Sequence, residues 1–173
     1  MKKIIGTLGI LTFILVSCST LQSIVKSTFP YTSTLIIPAS GQTGKTFSAT
    51  SSASSIDQIF TGSGSNTSQI SQVRMSSAKI EAISPSTQNL GVFKSIKIYL
   101  LNGTNQTLVA SRNDVSTTTG NSLVLDIDNS KFLDEYVKSG DVRVRMDYVL
   151  QNGLSVDLSV RASLGFNTSP ATN

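Results

Sequence analysis

The sequence predicts a mainly-β protein: an antiparallel β-sandwich of about eight strands with one short inserted helix. Three observations carry that expectation. Segments rich in Val, Ile, Thr and aromatic residues alternate with a period of two. The clearest is 142–150, VRVRMDYVL, where Val142, Val144, Met146 and Tyr148 share one face and Arg143, Arg145 and Asp147 the other. Gly, Asn and Ser clusters interrupt these segments at short intervals, as turns do. Only one segment, 130–139, has helical spacing.

From Tyr31, TSTLIIP and KTFSAT read as two strands, so the Gly-containing residues 39–44 predict a hairpin turn joining them. Residues 51–55 read as a Ser/Ala loop, 56–60 as one helical turn and 61–68 as a loop. Residues 69–84 form a long strand whose apolar positions, Ile70, Val73, Met75, Ala78, Ile80, Ala82 and Ile83, change phase twice. Such slips predict a bulge, or a strand passing from one sheet to the other. Pro85 ends it, and 86–93 is a connection.

In 94–101, Ile96 and Ile98 face one way and Lys97 and Tyr99 the other. Asn102-Gly103 suits a type I′ turn, returning the chain antiparallel through 107–112. Residues 123–127 (LVLDI) form a further strand. In 130–139, Ser130 is placed to cap a helix whose Phe132, Leu133, Tyr136 and Val137 share one face, with Gly140 beyond its end. Asp134 and Glu135 lie in its first half and Lys138 in its last turn. Residues 142–150 and 154–166 read as a hairpin joined by Gln151-Asn152-Gly153, and 167–173 as a disordered tail.

The N-terminus addresses location. Met1-Lys2-Lys3 precedes IIGTLGILTFILV and then Ser17-Cys18-Ser19, the layout of a secretory signal peptide. Its apolar run falls short of the roughly 20 residues a membrane-spanning helix needs, which is the competing reading. Leu15-Val16-Ser17-Cys18 resembles the lipobox of bacterial lipoproteins. That resemblance implies cleavage between Ser17 and Cys18 and a thioether-linked diacylglycerol, with fatty acyl chains such as palmitate, on Cys18. Cys18 is the only cysteine, so no intramolecular disulfide is available, and lipidation consumes a thiol otherwise exposed to oxidation. Residues 1–17 are then a signal peptide, 18–30 a tether and 31–166 the domain. Within the tether Leu21, Ile24 and Val25 form either an apolar stripe on the bilayer or part of an irregular linker.

SIKIYLLNG, KFLDEYVKSG and VRVRMDYVL, within 70–166, resemble small lipoproteins of Bacteroidetes-type bacteria. In such bacteria acidic residues after the lipidated cysteine favour surface display. Ser19-Thr20-Leu21-Gln22 has none, which favours a periplasm-facing protein of the outer membrane. The resemblance implies no activity.

Composition narrows the chemistry. The chain has no His and no Trp, which removes the commonest neutral-pH general base and the commonest carbohydrate platform. Metal, cofactor and nucleic-acid partners are not expected, since the basic residues are scattered and the sole Cys is taken by lipid. PASGQTGKT satisfies the relaxed phosphate-loop pattern from Ala39 to Thr46. A phosphate loop requires a helix directly after Lys45-Thr46, whereas FSATSSASS starts as a strand, so no nucleotide partner is expected. Asp126-Ile127-Asp128-Asn129 starts like a calcium loop but lacks the central glycine and the twelfth-position Glu, where Val137 stands. Asp134, Glu135 and Asp141 read as a solvated face. Asn66, Asn102, Asn105 and Asn167 stand in chance sequons, and Tyr31, Tyr99, Tyr136 and Tyr148 are the exposed-aromatic candidates for glycan contact.

The expectation is a non-enzymatic, lipid-anchored envelope protein that binds another envelope protein through sheet faces or edges, with no catalytic residues. The alternatives are a carrier holding a lipid or glycan between the sheets, and an enzyme built on carboxylates or Lys45.

Overall fold

A computed structural model describes residues 31–55, 70–138 and 141–170. The expected signal peptide, Ser17, Cys18, the expected tether, the helical turn expected at 56–60, the loop expected at 61–68 and Gly140 lie outside the described residues. The strands are β1 (Tyr31–Ile37), β2 (Thr46–Ser52), β3 (Ser54–Ser55), β4 (Ile70–Ser84), β5 (Phe93–Asn102), β6 (Asn105–Arg112), β7 (Ser122–Val124), β8 (Asp126–Ile127), β9 (Arg143–Leu150) and β10 (Leu158–Pro170), with one helical turn, α1 (Asp134–Val137), before β9. They form two antiparallel five-stranded sheets, in the orders β3-β1-β10-β4-β7 and β2-β9-β5-β6-β8.

Alternation explains why the sheets close on each other. Inward positions of β9, Val144, Met146, Tyr148 and Leu150, are buried, as are Leu35 and Ile37 of β1 and Leu158, Val160, Ala162 and Leu164 of β10. Each large aliphatic or aromatic side chain so buried contributes about 1.5–3 kcal/mol, so these rows dominate the stability. The phase slips read in 69–84 are bulges: β4 stays paired with β10 in one sheet, and their register shifts at Gly165/Phe166 and Asn167/Ser169. Gln72 in this stretch has φ 55°.

Five expectations are corrected. Residues 39–44 are not a hairpin turn, because β1 pairs with β10 and β2 with β9. The stretch carries the chain between sheets, and it is longer than the two to five residues of a typical hairpin loop. The same holds for 151–157, which pass from β9 in the second sheet to β10 in the first. Residues 51–55 are not a loop: Ser51 and Ser52 complete β2, and Ser54–Ser55 pairs with Tyr31 and Thr32 in the other sheet. Residues 123–127 are two strands. Leu125 crosses between the sheets, its N–H held by Ala78 O at 2.9 Å, and Asp128 N–H then reaches Val109 O in the second sheet at 2.9 Å. The alternation of Leu123 and Ile127 conceals this crossing, since both halves keep one apolar phase.

The fifth correction concerns the helix, which covers only Asp134–Val137. Ser130 does not cap it: its N–H and hydroxyl both donate to Asp128 Oδ1, at 3.0 and 2.6 Å. Leu133, fully buried, donates its N–H to Val73 O at 2.8 Å, and only then does the chain turn. Phe132 leaves the expected buried face and is 53% exposed. Two smaller differences follow. The β5–β6 loop is Gly103-Thr104, because Asn102 pairs with Asn105; Gly103 has φ +58°, the glycine-first pattern of a type II′ turn. β10 continues past Phe166 to Pro170, with Thr168 buried.

Candidate functional site

Strand directions divide the molecule into two ends. The near end holds the start of β1, the Gly103-Thr104 turn, residues 128–138 and the start of β9. The far end holds four connections, 38–45, 85–92, 113–121 and 151–157, which stand where β1, β4, β6 and β9 finish. In a sandwich such clustered end loops are the usual place for recognition.

Amide side chains tie the four connections together. Asn89 accepts from Gly91 N–H at 2.8 Å and Gly120 N–H at 3.1 Å, and its Nδ2 donates to Thr117 O at 2.8 Å. Leu90 N–H donates to Gly120 O at 2.6 Å, and Asn121 Nδ2 to Ser86 O at 3.0 Å. Gln151 Nε2 lies 2.7 Å from Gly91 O, 3.0 Å from Phe93 O and 3.0 Å from Val115 O, so one amide is shared among carbonyls of two other connections and the start of β5. Asp157 Oδ1 accepts from Ala39 N–H at 2.8 Å, joining the first and last connections.

Gly91 shows how close the loops come. A Cβ there would meet Thr117 O at 2.4 Å and Ser116 O at 2.7 Å, so only glycine lets the two backbones touch. Within 113–121, Ser116 makes a hydroxyl turn, accepting from Thr118 N–H at 3.2 Å, while Thr119 Oγ1 donates to Ser116 O at 2.7 Å. The outward surface is hydroxyl-rich, with Ser86, Thr87, Ser116, Thr117 and Thr118 exposed beside the charged Lys45, Asp114 and Asp157. Such a surface presents its hydrogen-bonding groups at positions fixed in advance.

The phosphate-loop pattern lies at this end without phosphate-loop geometry. Thr46 opens a strand, not a helix; Gly44 N–H donates to Leu150 O at 2.9 Å and Gly41 N–H to Pro38 O at 3.2 Å. Lys45 is exposed. The calcium-like carboxylates are engaged with cations: Asp126 Oδ2 with Arg112 at 3.2 Å, and Asp128 Oδ2 with Lys131 at 3.2 Å. Hydrogen bonds from Ser130, then the Lys131 ammonium, hold the Asp128 carboxyl below its ordinary pKa. Among the described residues no three of His, Cys, Asp and Glu gather as a metal site. Asp134 pairs with Lys138 at 3.5 Å and accepts from Val73 N–H at 3.1 Å, which fastens α1 to β4.

Three of the four tyrosines expected outside are inside. Tyr31, Tyr136 and Tyr148 are buried, and burial raises the Tyr148 phenol above its ordinary pKa. Tyr99 lies on the outer face of the second sheet with the Arg145 guanidinium 4.6 Å from its ring centroid. Arg145 Nη2 donates to Asp147 Oδ2 at 3.2 Å, and Ser48 Oγ to Asp147 Oδ1 at 2.6 Å. This row borders an open depression of about 130 Å³ lined also by Thr46, Ser95 and Lys97. Its carboxylate is already satisfied by two neighbours, so the row braces β2, β9 and β5.

Asn89 and Gln151, the residues that organise the far end, escape a reading by pattern. Gln151 reads as a turn residue, and its bonds reach 36 to 60 positions along the chain. No family model and no curated protein matches this sequence.

Proposed function

We propose that the protein is a non-enzymatic, lipid-anchored component of the cell envelope that presents its far-end loops to an envelope partner. The supporting observation is the opposition of the two ends. The chain from Cys18 enters β1 at Tyr31 on the near end, while the amide-locked, hydroxyl-rich loops lie a strand length away. An anchor at Cys18 therefore turns the organised surface away from the bilayer. The lipobox resemblance and the absence of acidic residues in 19–22 favour the periplasmic face of the outer membrane.

Two measurements test this reading. Cys18→Ala should move the protein from the membrane to the soluble fraction; unchanged retention sinks the anchor. Cross-linking from intact envelopes should then recover a defined partner with the wild-type chain and with Thr34→Arg, on the outer face of the first sheet. Thr117→Arg at the far end should abolish recovery, and capture indifferent to that change rules the loops out as the interface.

A further inference from the structure

We propose that Phe132 docks the near end of the domain onto the surface of the bilayer that holds the anchor, an inference that rests on the lipid-anchored reading above. Four large apolar side chains are exposed among the described residues: Ile36 at 60%, Val124 at 64%, Phe132 at 53% and Val156 at 51%. Phe132 is the only aromatic among them, and it lies at the end where the chain arrives from Cys18. The path between the two is short. The Tyr31 ring meets Phe166 at 5.5 Å in an edge arrangement, Phe166 stands opposite Met75, and the neighbouring Arg74 places its guanidinium 3.9 Å from the centroid of Phe132.

The ring is held in a fixed position. Arg74 Nη1 donates to Asn129 O at 2.9 Å and Ser130 O at 3.0 Å, and the Asp128–Ser130 bonds close the same loop from its other side. A guanidinium against one face of an exposed ring is an amphipathic unit. The ring suits the acyl boundary and the cation suits the headgroup phosphate. Carboxylates balance the cations around it: Lys131 pairs with Asp128 and Lys138 with Asp134. Docking therefore does not require anionic lipid.

One aromatic is too weak to bring a free protein to a membrane. The thirteen positions from Cys18 to Tyr31 change that requirement, since they reach at most about 45 Å even when fully extended. The near end is thus confined to the region above the bilayer, where a weak contact acts at high effective concentration. The contact then sets orientation, standing the sandwich upright with the far-end loops outward.

The chain lacks Trp, so single tryptophans report the contact directly. Acylated Phe132→Trp protein reconstituted in phosphatidylcholine vesicles should show blue-shifted emission quenched by brominated lipid. Val156→Trp, at the far end, should keep water-exposed emission. Emission from Phe132→Trp that stays water-exposed on vesicle-bound protein overturns the proposal, as does equal quenching at both positions. So does a shift without lipid that grows with protein concentration, which assigns the ring to a second copy. If the chain carries no acyl group, the anchor reading fails separately. Unacylated Phe132→Trp protein coupled through its sole cysteine, Cys18, to a maleimide-headgroup lipid in the same vesicles then decides docking alone: blue-shifted, quenched emission supports it and water-exposed emission refutes it.

Discussion

The far and near ends of the sandwich are both held by side chains reaching into loops, yet they use different chemistry. At the far end the ties are neutral amides, Asn89, Asn121 and Gln151, with Asp157 the one charged member. At the near end most are ions, Arg74 on the 129–130 carbonyls, Asp128 with Lys131, and Asp134 with Lys138, with the Asn102 amide on Glu135 O at 2.9 Å the neutral exception. Neutral amides do not titrate and carry no charge for salt to screen, so the bonds of Asn89, Asn121 and Gln151 are indifferent to pH and salt. Exposed ion pairs contribute about 0–1 kcal/mol and weaken with salt. The difference separates a surface built to be constant from one whose setting responds to its surroundings.

The contrast can be broken most forcefully at Gly91. Gly91→Ala forces Cβ into the Thr117 carbonyl, and overpacking against backbone should cost about 3 kcal/mol, read as a fall in the urea midpoint. Gln151→Ala comes next, leaving the Gly91, Phe93 and Val115 carbonyls without their shared donor; about 2 kcal/mol is expected by the same measurement. An unchanged midpoint in either variant removes the lock.

Smaller effects test the near end. Arg74→Ala should cost about 1 kcal/mol and speed amide hydrogen exchange in residues 128–133 while leaving 113–121 unchanged; exchange that rises at both ends defeats the division. One molar salt should loosen the near end only. Titration gives the smallest signals. The Asp128 carboxyl lies below its ordinary value in the folded chain, so its contribution is present above about pH 4 and fades as the solution is acidified through the lowered value. The Tyr148 phenol is raised, so the unfolded chain loses that proton first and stability falls as pH rises past about 10. An alkaline melting profile flat beyond that point contradicts the burial assigned to Tyr148.

The sandwich was legible wherever one strand face decides its burial. The alternation in 142–150 predicts which side chains of β9 enter the core, and phase slips in 69–84 predict its bulges. Turn residues show that a chain reverses but not which sheet it enters. Residues 39–44 and 151–153 therefore read as hairpin turns although the connections that contain them bridge the two layers. Helical spacing in 130–139 was overruled by bonds formed elsewhere: Ser130 is taken by Asp128, and Leu133 N–H by a strand sixty positions away. The far-end lock was invisible for the same reason. Asn89 and Gln151 look like ordinary loop residues until distant carbonyls come beside them.

The placement of β10 sets the order of assembly. The last strand of the chain lies in the middle of the first sheet, between β1 and β4, matched to all seven residues of β1. A chain emerging N-terminus first has only the two residues Ser54–Ser55 to pair with Tyr31–Ile37 until residues 158–164 have followed. Contacts of such long sequence separation make folding slow, and they forbid the first sheet from closing early. A chain cut short before Leu158 therefore forfeits half of the sandwich rather than one strand.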